Sequence, residues 1–353
     1  MPRGRRDPAQ RRHHARRRKL GAPPRRRCEQ RDRRGPGLID GQGIQFHSPE
    51  RGATPPSGLG GSRRPYHMLF YRCDHLRVRS VRLLNSAFHS VRVIESRYVW
   101  MEGLHIHNRV NGNNDGFHFV SAEHLAVSNC TVESQDDACA LFGSCRYVTI
   151  TNSYFSTRWS VFRFGGGSPA DVAISNCVLH QVFGCPITFQ VTPGSVFENI
   201  SFCDVHLTFG GGGTAAEGAV RDVPEVAGEY FMLGRMPAYA LFARNARALT
   251  LHNVRFQVSQ PDQRPAVILD HVVDAAISGM SVQGNPQAES VLRFIDTKEV
   301  LSTATRVLTL AATFLQLEGT GNGRVTIDGG DLSKAERTLA FADGATARAV
   351  PAR

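Results

Sequence analysis

The sequence predicts an all-β chain wound as a right-handed single-stranded parallel β-helix, a solenoid. Three observations carry that prediction: a composition suited to strands and turns, a short phrase that recurs at nearly constant spacing, and strand-period alternation between the recurrences.

The first observation is compositional. Of 353 residues, 41% are hydrophobic, enough to bury a large core in one long domain or two smaller ones. Gly, Asn, Ser, Thr and Val are frequent, which favours turns and strands over helices. The net charge of +11 resembles a nucleic-acid signal until it is located. Fourteen Arg and Lys19 fall in residues 1–34 against only Asp7, Glu29 and Asp32, so the rest of the chain is close to neutral. With almost no apolar residues, 1–34 is expected to be a disordered, solvated tail or sequence read from a misplaced start codon, rather than a basic arm for nucleic acid. No apolar run follows its Arg pairs, so it does not read as a signal peptide. No stretch approaches ~18 consecutive apolar residues, so no membrane span is expected.

The second observation is the repeat. Phrases of the form apolar-x-apolar-x-Asn end at Asn85, Asn108, Asn129, Asn152 and Asn176, at separations of 23, 21, 23 and 24 residues. The phrase returns at Asn253, after a Gly-rich and then acidic interruption over 209–238 that predicts a loop across one face. A period of ~20–29 residues suits a leucine-rich repeat or a β-helix. These units use Val, Ile, Phe and Cys where the former needs Leu, and they contain no helical segment. The third observation supports the same choice: GFHFV (116–120), ACALF (138–142) and VFRFG (161–165) alternate with the period of a strand. Stacked coils would bring the Asn positions into register as a ladder. The predicted domain spans 35–340, followed by a tail over 341–353.

Two acidic motifs lie one coil apart. Asp115 in Asn113-Asn114-Asp115-Gly116 precedes Asp136 of Gln135-Asp136-Asp137-Ala138 by 21 residues, so the solenoid should set Asp115 beside Asp136 and Asp137. Three crowded carboxylates repel, and a carboxylic acid of raised pKa beside an ionised base is what hydrolysis of a glycosidic bond requires. Asx capping of strand ends is the plain alternative, and a calcium site is the rival functional reading.

With Asn-Asn-Asp-Gly, Asp-Asp and the early phrase Leu38-Ile39-Asp40-Gly41-Gln42-Gly43, the chain resembles the polygalacturonases, family 28 of the glycoside hydrolases, from about Gly35 to Thr305, including Arg264-Pro265-Ala266-Val267 of a late coil. The resemblance implies single-displacement hydrolysis with inversion. Asp136 would be the general acid, Asp115 and Asp137 would position and deprotonate water, and Asn113 would support the sugar or Asp115. It also implies a secreted or periplasmic setting. Two family motifs depart: no His occurs near Trp159-Ser160-Val161, and no cation occurs near Pro186-Ile187-Thr188. Arg158 and Arg163 are the candidate replacements for binding an acidic sugar.

Three further signals are weaker. His105, His107 and His118 suggest a metal site, but no carboxylate stands in an obvious third position, so no metal and no cofactor is expected. Trp100 and Trp159 are candidate sugar-stacking residues, though packing is the commoner use. Eight cysteines without a CxxC pair read mostly as buried small hydrophobes, and Cys130 and Cys177 are two coils apart, too far for a disulfide. The expected function is therefore hydrolysis, by a monomer, of a pectic or related polysaccharide or oligosaccharide. A β-helix polysaccharide lyase and a non-catalytic carbohydrate-binding β-helix are the alternatives.

Overall fold

Successive coils of the chain stack by parallel pairing into two sheets, of 17 and 11 strands among the described residues. The computed structural model describes residues 28–33, 37–46, 64–184, 186–190, 192–226 and 230–351. Outside the interruption, coils repeat every 23–28 residues where neighbouring bends are linked. One coil shows the plan. Glu123–Ser128 and Thr131–Ser134 belong to the long sheet and Cys139–Phe142 to the short one, with Leu125, Val127, Val132, Cys139 and Leu141 turned inward and buried. Period-two alternation thus fills the bore, and Phe117, Phe119, Phe155, Phe162, Phe164 and Phe189 are fully buried along it.

The bend between the two long-sheet segments requires a left-handed residue, which Asn tolerates better than most. Asn129, Asn152, Asn176 and Asn253 occupy it with φ of 48–55°. Asn176 Nδ2 donates to Asn152 Oδ1 at 2.7 Å, the expected ladder. Asn85 and Asn108 are not in this column. They follow the next segment, where Leu84 pairs with His107. The phrase is ambiguous because both segments of a coil end an apolar alternation; the bend column at those coils holds Ser80 and Gly103 instead.

Two predicted boundaries change. Residues 1–27 lie outside the described residues, but Cys28–Arg33, assigned to the tail, forms a strand pairing with Cys73–Arg79 (Cys28↔Cys73). Parallel pairing needs only backbone donors and acceptors, so a polar sequence can join a ladder. At the other end, strand Ala335–Ala342 runs into the predicted tail, Ala349 is buried, and Ala345 and Val350 pack against the core as a cover for the last coil.

The interruption packs against the outer face of the short sheet, as expected. Its short helix Ala215–Gly218 carries a capping box between Thr214 and Glu217. Arg221 forks to Glu289 and Glu318 at 2.9 and 2.7 Å, and the buried Arg293 donates to Gly218 O at 2.7 Å. Val223, Leu233 and Met236 of this segment pack on Phe242 and Ile268 of the sheet. Cys73, Cys130, Cys139, Cys145 and Cys177 are buried free thiols, and burial pushes Cys130 and Cys177 up to about 11 and Cys145 to about 12. Cys185 lies outside the described residues. Among the described residues no helix is long and apolar enough to cross a membrane.

Candidate active site

Two consecutive turns from the long sheet to the short one carry the three aspartates. Strands Phe117–Val120 and Cys139–Phe142 pair with Phe117 opposite Cys139, which sets Asp137 one rung from Asp115 and Asp136 beside Asn114. Backbone bonds join the turns: Asp136 N donates to Asn114 O at 3.2 Å and Gly116 N to Asp137 O at 2.9 Å. Gly116 is needed here, since a Cβ would lie 2.4 Å from Val132 Cγ1.

Side chains fix each turn further. Asn114 Oδ1 accepts from Val110 N (2.9 Å) and Asn111 N (2.5 Å), while its Nδ2 donates to Ser86 O and Phe88 O. Asn108 Nδ2 donates to Asp115 O at 3.1 Å, so this residue of the recurring phrase supports the site. In the second turn Ser134 Oγ and Thr157 Oγ1 both donate to Asp136 O, at 2.6 and 2.5 Å. Asp136 Oδ1 accepts from Asp137 N at 2.9 Å.

The crowding foreseen from sequence is relieved by partners. Asp115, Asp136 and Asp137 are 3–4% exposed. Arg163 Nη1, also buried, donates to Asp137 Oδ2 at 2.8 Å. Burial disfavours the guanidinium charge, but Asp137, Asp136 and Asp115 outweigh it and hold the Arg163 pKa above its ordinary value. Asp115 Oδ2 lies 2.7 Å from His118 Nδ1. His118 stacks on His89 with centroids 4.4 Å apart and planes at 21°. Burial, then His118, Arg92 and Arg64, push the His89 pKa well below its ordinary value.

His89, Asp115 and His118 bring three donor atoms within 4.8 Å of one another, a set that suits Zn, Mn or Fe. The ring geometry opposes it. Imidazole lone pairs lie in the ring plane, and two nearly parallel stacked rings cannot both aim theirs at one ion. Calcium is opposed by charge, because Arg163 already occupies the carboxylate cluster. The histidines singled out from sequence do not converge: His105 and His107 lie on the long sheet, where His107 pairs with Glu133 at 3.0 Å, and His118 lies on the short sheet.

A cleft of about 300 Å³ opens one rung beyond the aspartates, lined by Arg158, Trp159, Ser160, Arg163, Phe183 and Arg235 among others. The aspartates themselves are not part of its lining. Arg163 links the two, and Ala138 N bonds Ser160 O at 2.8 Å, so Trp159 and Ser160 continue the rungs of Asp136 and Asp137. Arg158 is exposed with its guanidinium 4.6 Å above the Phe183 ring. Arg163 lines the cleft, but part of its fork is engaged by Asp137. Asn113 is buried and its Oδ1 accepts from Arg64 Nη2 at 2.9 Å, so it ties the turn to Arg64. Trp159 reaches the cleft, whereas Trp100 lies on the long sheet beneath Arg77. Sequence reasoning missed Arg64, His89 and Arg235. His118 was read only as a metal ligand, although its place three residues after Asp115 was a usable signal.

The profile described as Glycosyl hydrolases family 28 matches residues 26–210, more than half of the chain. The chain belongs to glycosyl hydrolase family 28. No curated protein matches it. Among solved structures, this family 28 chain is similar to a hyperthermoactive exopolygalacturonase from Thermotoga maritima (14% identity over 81% of this chain and 57% of that one, TM-score 0.45). It is also similar to a family 28 exopolygalacturonase from Yersinia enterocolitica (15% identity, 81% and 49%, TM-score 0.43). A tailspike protein mutant of E. coli bacteriophage HK620, in complex with a pentasaccharide, shares the fold (11% identity, 79% and 52%, TM-score 0.54). The chain spans about half the length of these proteins.

Proposed function

We propose that this chain hydrolyses a glycosidic bond of a pectic or related polysaccharide with inversion. Asp136 protonates the leaving oxygen, and Asp115, with Asp137, takes a proton from the water that attacks the opposite face of the sugar. One observation carries the reading: three buried carboxylates on adjacent rungs, joined through Arg163 to an arginine-lined cleft. Arg158 and Arg235 offer planar forks suited to the carboxylate of an acidic sugar. Trp159 and Phe183 supply apolar faces for the ring. Such a polymer places the protein outside the cytoplasm, acting as a monomer.

A non-catalytic carbohydrate-binding role is the second reading. The Asp137–Arg163 pair favours it, because a neutralised Asp137 contributes less to activating water. Asp136→Asn separates the two. With pectic oligosaccharides followed by NMR, the variant should bind as the parent does while turnover falls at least about a hundredfold, the scale of general acid catalysis. Tight binding by the parent chain with no product from any oligosaccharide would leave the binding role standing.

A further inference from the structure

His118 occupies an outward position of strand Phe117–Val120, in register with Arg92 of the preceding coil and Ala140 of the next. Its Nδ1 meets Asp115 Oδ2 at 2.7 Å with both side chains buried. An ionised carboxylate has only lone pairs to offer, so while Asp115 is ionised the shared proton is on Nδ1 and His118 donates. The imidazole is held on two sides. One face stacks on His89, and the Phe142 ring meets it at 67° with centroids 5.2 Å apart.

The charged groups around this pair are Asp115 from its own turn, His89 and Arg92 from the preceding coil, and Arg64 beside His89. On the far side Arg163 stands two rungs away across Ala140 and is turned to Asp137. Burial, then His118, Arg92 and Arg64, hold the His89 pKa well below its ordinary value. Both rings face Asp115 Oδ2, His89 Nε2 at 3.7 Å and His118 Nδ1 at 2.7 Å, and the ring that is hydrogen-bonded to the carboxylate is the more favourable place for an added proton.

We infer that His118 is the positioning residue for Asp115: as a neutral donor it aims the carboxylate at water, and on gaining a second proton at Nε2 it makes Asp115 half of an ion pair too weakly basic to act. Acid then closes the site through His118. This rests on the reading of Asp115 as the base.

The test uses the full chain and the pectic oligosaccharide it turns over, with kcat and KM followed against pH for the parent, His118→Ala and His118→Asn. The Ala variant should lose about a hundredfold in kcat, the cost of a slightly misplaced reacting group, with KM within about threefold. The Asn amide places an N–H where Nδ1–H stood but takes up no proton. It should restore kcat to within about tenfold and move the acid limb of the kcat profile to lower pH. An Ala variant with parental kcat, or an Asn variant sharing the parental acid limb, overturns the inference. A 15N NMR titration of His118 in the parent and in Asp115→Asn needs no turnover: the imidazole should titrate at higher pH when Asp115 is intact. Identical titrations sink the inference even if hydrolysis is found. Different titrations without turnover on any pectic oligosaccharide keep the pairing and remove the hydrolase reading.

Discussion

Arg163 shows how little a single charged side chain reveals until it is placed. Its strand position made it a candidate for binding an acidic sugar, yet in the fold it lies buried against Asp137. Removing one member of a buried pair leaves the other charge uncompensated, at about 3–5 kcal/mol. Arg163→Met should therefore lower the urea midpoint strongly, and adding Asp137→Asn should recover much of the loss; equal midpoints for single and double variants would show the pair to be immaterial. His89 adds a pH dependence. Its folded pKa is depressed below an unfolded value of about 6.5, so the unfolded chain binds a proton that the folded chain refuses as pH falls. His67, lowered by burial, acts in the same direction. Stability should be full above about pH 6.5 and fall below it, by up to ~1.4 kcal/mol per pH unit for each group. In urea titrations at several pH values, His89→Leu should flatten that slope, and an unchanged slope would count against the assignment. That Asp115, Asp136 and Asp137 lie together on adjacent rungs was legible from spacing. Their partners were not, because His89 and Arg64 come from coils whose register a linear sequence does not display.

Among elements, the insertion after strand Phe197–Phe209 is the one that shapes the cleft. Its hold on the solenoid runs through Arg221, which meets Glu289 and Glu318 far along the chain, and through Arg293 of the solenoid, which donates to Gly218 O and Val220 O. Arg221→Ala would leave the buried Glu318 short of a charged partner, at about 1–3 kcal/mol. Limited trypsinolysis reports it directly: cleavage after the exposed Arg235 should accelerate while the coils stay intact, and an unchanged rate would mean that the apolar contacts of Leu233 and Met236 suffice. From sequence the insertion was visible as a break in the repeat, and its packing face was not. The ladder teaches the complementary lesson. Asn129, Asn152 and Asn176 announced the left-handed bend, whereas Asn85 and Asn108 carried the same local signal one segment later. Periodicity of two has no marker for which segment of a coil it describes.

For the whole molecule, the architecture was the most legible feature, because alternation and spacing are repeated coil after coil and errors in one unit average out. The ends were the least legible: Cys28–Arg33 pairs through its backbone and Ala349 covers the core without any repeat signature. Thiol accessibility offers a global probe. Partly exposed Cys203 should react with a thiol reagent under native conditions, while Cys130, Cys139, Cys145 and Cys177 should react only at the rate of unfolding. Fast native labelling of these four would mean that coils open independently. The stacking has one further consequence. Because the three aspartates occupy two adjacent rungs and the cleft wall lies on later ones, the solenoid is a ruler that can be lengthened. Each coil gained beyond the site would extend the groove by about 4.8 Å, the spacing of neighbouring strands, and leave the aspartates where they are. The length of such a groove can change in whole rungs, independently of the aspartate cluster.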